Sequence, residues 1–400
     1  MLNEFNEYIT LKLEAGEAFL RKDIIESMKS IDAIIFDCDG VLIDIRGSYD
    51  KTISKSVALI FEGLTGLKIP EDFVSDEIIF LFRRSGGFNN DWDIVYGSLM
   101  FLLSSLPEKV RGELAELMAR LMHLKGAARR FLAIKEEVGE SAFNVSCAEL
   151  EKLRENLKGF TMTLDEAGVI SVDRAILSSG AVRKSFYSLL KMFIESSGRV
   201  GESIIATVFE EIFCGPDLFE EIYGIKPEIF FGRGMICNGK PIISWETLEH
   251  LSSIVGKSKL GVASGSRFKS ARYVLQGILD YFNPEARVFL DDIESIEEEY
   301  SKRGFLKVNF KKPNPYSLFK SSWSLEPFRL ALFIGDSIED AMAVKKAKML
   351  DSRFIFAGVY KYTNLGEEAK REFLNFKCDL ILPSVNEVPY VIERMKGGKI

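Results

Sequence analysis

Four short apolar segments constrain this chain more than any other feature. They are Ala33 to Phe36 (AIIF), Leu260 to Ala263 (LGVA), Leu330 to Ile334 (LALFI) and Phe354 to Val359 (FIFAGV), each rich in β-branched or aromatic residues and each running into polar ones. Runs this short and apolar throughout suit strands buried on both faces of a parallel sheet. Helical patterns separate the later ones: SWETLEHLSSIVGK offers Ser244 as a cap and Gly256 as a stop, and SIEDAMAVKKAK starts from Ser337. Strand alternating with helix predicts a doubly wound α/β sheet.

From about Arg46 to Ile243 the pattern changes to amphipathic helical repeats such as IVYGSLMFLLSSL and RGELAELMARLMHL. A chain of 400 residues exceeds what one compact core usually holds. The expected organisation is therefore 1–46 as N-terminal helices and the first part of the core, 47–243 as an inserted helical domain, and 244–400 as the remainder of the core. His123, on the apolar face of one such helix, is expected to be a satisfied core histidine.

Composition removes several function classes. No stretch reaches the roughly 18 apolar residues that cross a bilayer, so no membrane partner is expected. The net charge of −7 lacks the basic face that nucleic acid demands. Five scattered cysteines show no zinc or disulfide spacing, so a reducing cytoplasm is the expected location. Abundant Lys and Glu with a single glutamine, Gln276, point toward a heat-adapted source. With only His123 and His250 as histidines, chemistry must rest on carboxylates and lysine.

Four motifs carry that chemistry. In IIFDCDGVLID a strand runs directly into Asp37, Cys38, Asp39 and Gly40, and residues two apart in extended structure share a side. Both carboxylates therefore face one site. An EF-hand is disfavoured, because its glycine falls at the sixth loop position and helices flank it. In LGVASGSRF a second strand ends in Ser264, Gly265 and Ser266, whose hydroxyl and backbone N–H groups can hold phosphate oxygens. In FKKPNPYSLF, Lys312 precedes Pro313, and a lysine point charge suits phosphate. In LFIGDSIEDAMAV, Asp336 and Asp340 flank a helix start and offer the hard oxygen ligands that suit Mg²⁺. Singly, the last three also read as a turn, a solvated lysine and helix-capping acids. Asp291 and Asp292 read as residues that cap or solvate the acidic run IESIEEEY.

Together and in this order, the four motifs resemble those of the haloacid dehalogenase (HAD) superfamily, with an enlarged insertion where subfamily IA-like phosphatases carry a C1 cap. The resemblance covers Ile31 to Arg46 and Ser244 to about Val385. It implies that Asp37 attacks phosphorus and that Asp39 protonates the leaving oxygen, then activates water. Ser264 and Lys312 would hold the phosphoryl group. Asp37, the Asp39 carbonyl and Asp336 would bind Mg²⁺, with Asp340 ligating through water or bracing Lys312.

Magnitude also calls for a cation. At about 4 Å and an effective dielectric of about 20, a carboxylate repels a phosphate dianion by roughly 8 kcal/mol. Uncompensated, that slows attack by about five to six orders of magnitude.

The resemblance further implies that the insertion is a cap that closes over the site and selects the substrate, expected to be a small phosphorylated metabolite. Within it, RRSGGFNNDWDIVYG places Asn89, Asn90 and Trp92 before a helix, as a substrate-facing loop or simply as a capped glycine loop. A phosphomutase keeps the same motifs and is the first alternative. A dehalogenase needs neither Asp39 nor Asp336, and a non-catalytic phosphate sensor does not need intact Asp37 and Asp39.

Overall fold

The computed structural model describes residues 7–88, 90–139, 147–194, 198–304, 308–363 and 365–397. The chain divides into two compact units, Met1–Arg46 with Gly239–Ile400, and Gly47–Asn238.

The strands of the first unit, in chain order, are β1 (Tyr8–Leu13), β2 (Gly16–Arg21), β3 (Ile31–Phe36), β4 (Ile43–Asp44), β5 (Lys240–Pro241), β6 (Leu260–Ala263), β7 (Arg287–Val288), β8 (Leu330–Gly335), β9 (Phe354–Val359) and β10 (Leu380–Leu382). Eight of them form one sheet in the order β1-β2-β10-β9-β8-β3-β6-β7, and β4 pairs with β5. From β10 to β7 the pairing is parallel throughout. The fold is thus α/β, as the apolar runs imply, and β3, β6, β8 and β9 coincide with the four segments to within two residues.

From β3 the chain steps outward through β6 and β7, then returns to the other side of β3 and steps outward through β8, β9 and β10. Right-handed crossovers in opposite directions place their helices on opposite faces of the sheet. The reversal also leaves a crevice beyond the carboxyl ends of β3 and β8, where open α/β sheets bind ligands. Helices start where their caps predict. Ser244 Oγ accepts the Thr247 N–H at 3.0 Å ahead of helix Trp245–Val255, which Gly256 ends.

The expected N-terminal helices are instead mainly an antiparallel hairpin, β1 with β2. The deciding contacts are remote in sequence: Leu20 and Phe19 pair with Leu380 and Ile381, so β2 covers the exposed edge of β10. Tyr8 Oη donates to the Cys378 carbonyl at 2.8 Å, and Arg21 pairs at 2.8 Å with buried Asp379. Local propensity cannot register an edge contributed some 360 residues later.

The second unit is helical, and its first helix, Tyr49–Thr65, packs against helices Asp91–Ser104, Ala127–Val138 and Ile204–Cys214. Close approach is written into Gly63, where an added Cβ would lie 2.4 Å from the Phe131 ring. Tyr49 stacks on Phe213 with ring centroids 4.0 Å apart. One polar cluster of this unit centres on Asp173, which accepts from Tyr96 Oη at 2.5 Å and from Tyr187 Oη at 2.7 Å, with Lys191 2.7 Å from its other oxygen. His123 is not a core residue. It lies exposed beyond the end of helix Glu108–Leu121, its Nδ1 2.8 Å from the Arg120 carbonyl, because that helix stops before the apolar pattern does. Among the described residues, no helix is long and apolar enough to cross a membrane.

Candidate active site

Asp37 and Asp336 enter the site from neighbouring strands. Phe36 pairs with Ile334, and the Asp37 N–H continues the ladder to the Ile334 carbonyl at 2.9 Å, so the carboxylate emerges where β3 ends. Gly335 closes β8 and delivers Asp336 beside it. Past Asp37 the chain turns on the Cys38 carbonyl, which accepts the N–H groups of Leu42 and Ile43 at 2.7 and 2.8 Å. Gly40 takes a left-handed φ of +69° inside this turn. A Cβ there would fall 1.9 Å from Asp336 Oδ2, so only glycine lets the turn pass the carboxylate.

Asp37, Asp336 and Asp340 bring one carboxylate oxygen each within 4.8 Å of one another, with Asp37 and Asp340 buried and Asp336 half-buried. Three hard oxygen donors this close can hold a metal ion. Lys312 stands on the same group, its Nζ 2.9 Å from Asp37 Oδ2 and 2.7 Å from Asp340 Oδ1. These side chains are 9%, 11% and 0% exposed for Lys312, Asp37 and Asp340, so the pairing operates largely out of water.

The electrostatics follow from that burial. Desolvation raises the Asp37 carboxyl above its ordinary value, Lys312 opposes the rise, and Asp340 adds to it. Desolvation also pulls the Lys312 ammonium downward, but Asp340 and then Asp37 more than offset it and hold the lysine above its usual range. Burial, then Asp39 and Asp37, pushes the Cys38 thiol well up, which keeps this cysteine in its neutral form.

Asp340 divides its two oxygens. Oδ1 meets Lys312, while Oδ2 accepts from the Ser337 hydroxyl at 2.7 Å as part of the capping box that starts helix Ile338–Leu350. The residue that caps the helix is therefore also the one that meets the lysine.

Asp39 emerges from the same turn, and its Oδ2 accepts a hydrogen bond from Ser266 Oγ at 2.5 Å. Ser264 is buried at the end of β6, its N–H donating to the Val288 carbonyl at 2.9 Å and its hydroxyl to Ser266 Oγ at 3.2 Å. Gly265 is exposed at the tip of this turn, with nothing within 4 Å of an added Cβ. The structure thus draws Asp37, Asp39, Ser264, Lys312, Asp336 and Asp340 to one place. Ser266 joins them, but its hydroxyl turns to Asp39, whereas the sequence places it only in a phosphate-holding turn.

In the helical unit, Asn90 caps helix Asp91–Ser104, its Oδ1 accepting the Trp92 N–H at 3.1 Å, and Trp92 Nε1 donates to buried Glu210 at 3.0 Å. Asn89 lies outside the described residues. Asp291 and Asp292 act as caps, Asp291 accepting the Phe268 N–H at 2.8 Å and Asp292 the Phe289 N–H at 2.9 Å.

No protein-family profile matches the chain, and neither does any curated protein. Among solved structures, the chain resembles a structural-genomics target determined by X-ray crystallography. The TM-score is 0.59 at 17% identity, covering 91% of this chain and 99% of the other. At that identity the likeness speaks for the fold. A second match is phosphatase Tt82 from Thermococcus thioreducens, with TM-score 0.44 and 21% identity over 84% of this chain and 98% of the other.

Proposed function

We propose that the protein is a Mg²⁺-dependent phosphatase of HAD type that hydrolyses a small phosphomonoester through an aspartyl-phosphate on Asp37. The observation that carries this reading is the group of buried Asp37 and Asp340 and half-buried Asp336, with Lys312 set between the first two, at the carboxyl ends of adjacent parallel strands.

In the first half-reaction an Asp37 carboxylate oxygen attacks phosphorus, the bond to the ester oxygen breaks, and Asp39 gives that oxygen its proton. In the second, Asp39 takes a proton from water as the water oxygen attacks the phosphorus of the aspartyl-phosphate, and Asp37 leaves as a carboxylate. Lys312 and the Ser264 hydroxyl hold the phosphoryl oxygens, and the N–H of Gly265, a residue exposed at the tip of the same turn, would join them. Asp340 keeps Lys312 charged and aimed.

One ammonium offsets only one of four carboxylates here, so the donor set fits a small hard cation. Asp37, Asp336 and the Asp39 carbonyl would hold Mg²⁺, which takes few carboxylates and keeps waters. When bound, Mg²⁺ supplies the charge neutralisation that lets a carboxylate meet a phosphate dianion.

The test is phosphate release from a panel of phosphomonoesters. Chelation is expected to abolish turnover, added Mg²⁺ to restore it, and Asp37→Asn to fold normally without forming a phospho-enzyme. Hydrolysis that survives exhaustive metal removal, or full turnover by Asp37→Asn, would refute the reading.

A further inference from the structure

We infer that Ser266 is the positioning residue for the acid/base carboxylate of Asp39, an inference that rests on the reading of Asp39 given above. Ser266 Oγ lies 2.5 Å from Asp39 Oδ2, at the short end of the roughly 2.5–2.7 Å usual for a hydroxyl donating to a carboxylate. Ser266 is itself 5% exposed, so water does not readily replace this bond.

Its own placement is fixed from three directions. The Ser266 N–H donates to Ser264 Oγ at 3.1 Å, the Ser264 hydroxyl lies 3.2 Å from Ser266 Oγ, and the Ser266 carbonyl accepts the Leu290 N–H at 2.9 Å. The hydroxyl that holds Asp39 is therefore anchored to the end of β6 and to the start of helix Leu290–Lys302. Asp39, by contrast, sits on a turn past the end of β3. A carboxylate that must first give and then take a proton needs a fixed direction, and Ser266 supplies it from the neighbouring strand end.

The geometry separates this role from phosphate binding. Lys312 meets the nucleophile's carboxylate at 2.9 Å, whereas Ser266 bonds the acid/base. Losing Ser266 should thus affect protonation of the leaving oxygen more than capture of the phosphoryl group. Esters differ in how much they need that proton: an alkyl alkoxide is a poor leaving group, while p-nitrophenolate leaves without one.

The experiment compares kcat/KM for an alkyl phosphate and for p-nitrophenyl phosphate in wild type, Ser266→Ala and Ser266→Thr. This parameter reports the half-reaction in which the ester bond breaks. A hydrogen bond to a charged group implies that Ser266→Ala loses about 10- to 100-fold on the alkyl ester, with a smaller loss on p-nitrophenyl phosphate and with Ser266→Thr recovering part of the difference. The ratio of the two substrates in one preparation does not depend on how much of it is folded. An equal loss on both esters, total loss included, or no loss at all would overturn the inference. Because the requirement for Asp37 and for Mg²⁺ is read separately, that outcome leaves the phosphatase reading standing, and failure of those requirements brings both down.

Discussion

Replacing Gly40 with alanine adds one carbon and is expected to dismantle the metal-binding group. The new Cβ would start 1.9 Å from Asp336 Oδ2, 2.4 Å from its Cγ and 2.8 Å from its Cβ, so rotating the carboxylate alone cannot relieve the clash. Reaching the roughly 3.4 Å of ordinary contact requires Asp336 and the turn to part by about 1.5 Å. The left-handed φ of +69° adds about 1–2 kcal/mol of strain for a residue with a side chain. Displacing a reacting or ligating group by about 1 Å can cost about 100-fold in rate, and this displacement is larger. Gly40→Ala should therefore lose at least about two orders of magnitude in kcat/KM and demand far more Mg²⁺ for half-maximal activity. Stability should fall by that strain plus about 1–3 kcal/mol for the forced separation. Denaturant melts and a Mg²⁺ titration of phosphate release measure both quantities. A variant with the wild-type rate and metal requirement would show that Asp336 does not take part, and the reasoning would fail.

Lys312→Met leaves Asp37 and Asp340 buried without their shared cation, which should cost about 3–5 kcal/mol at neutral pH by urea denaturation. An unchanged midpoint would mean that the two carboxylates are already neutral. For Asp32, burial opposes ionisation, but the Arg329 side chain and the backbone N–H groups of Arg329 and Leu330 hold its carboxyl below the usual range. Its contribution is thus present above the unfolded pKa of about 3.9 and is lost as pH falls through the lower folded value. The stability gap between wild type and Asp32→Asn should close on acidification, and a gap that widens would reverse the sign. Gly112 and Gly159 lie inside helices with nothing within 4 Å of an added Cβ, so alanine at each should stabilise by about 0.5–1 kcal/mol in thermal melts. Trp92→Ala removes the indole donor from buried Glu210 and should lower the melting temperature. If it also reorders preference among phosphate esters, Trp92 takes part in substrate selection. A uniform decline assigns it to packing.

The sequence by itself determined the strands that are apolar on both faces, the caps at Ser244 and Ser337, the carboxylates that follow strand ends and the lysine of the proline-flanked loop. All of these are local: a strand buried on two sides must be apolar along its length, and a helix start needs its acceptor within three residues. The hairpin Tyr8–Arg21 escaped, because what makes it a strand pair is the edge of β10 across the whole chain. The division of Asp340 between a cap and Lys312 escaped in part, since the cap is written in SIED while Lys312 arrives through a separate loop. The contact between Asp39 and Ser266 spans 227 residues, and nothing in either segment names the other. Only the parallel pairing of β3 between β6 and β8 decides that the two strand ends meet, and that Gly40 passes close against Asp336. The types of group at the site were legible because each sits in a short local motif, at a strand end, a helix start or a proline-flanked loop, and their partners were not, because partners are chosen by strand order.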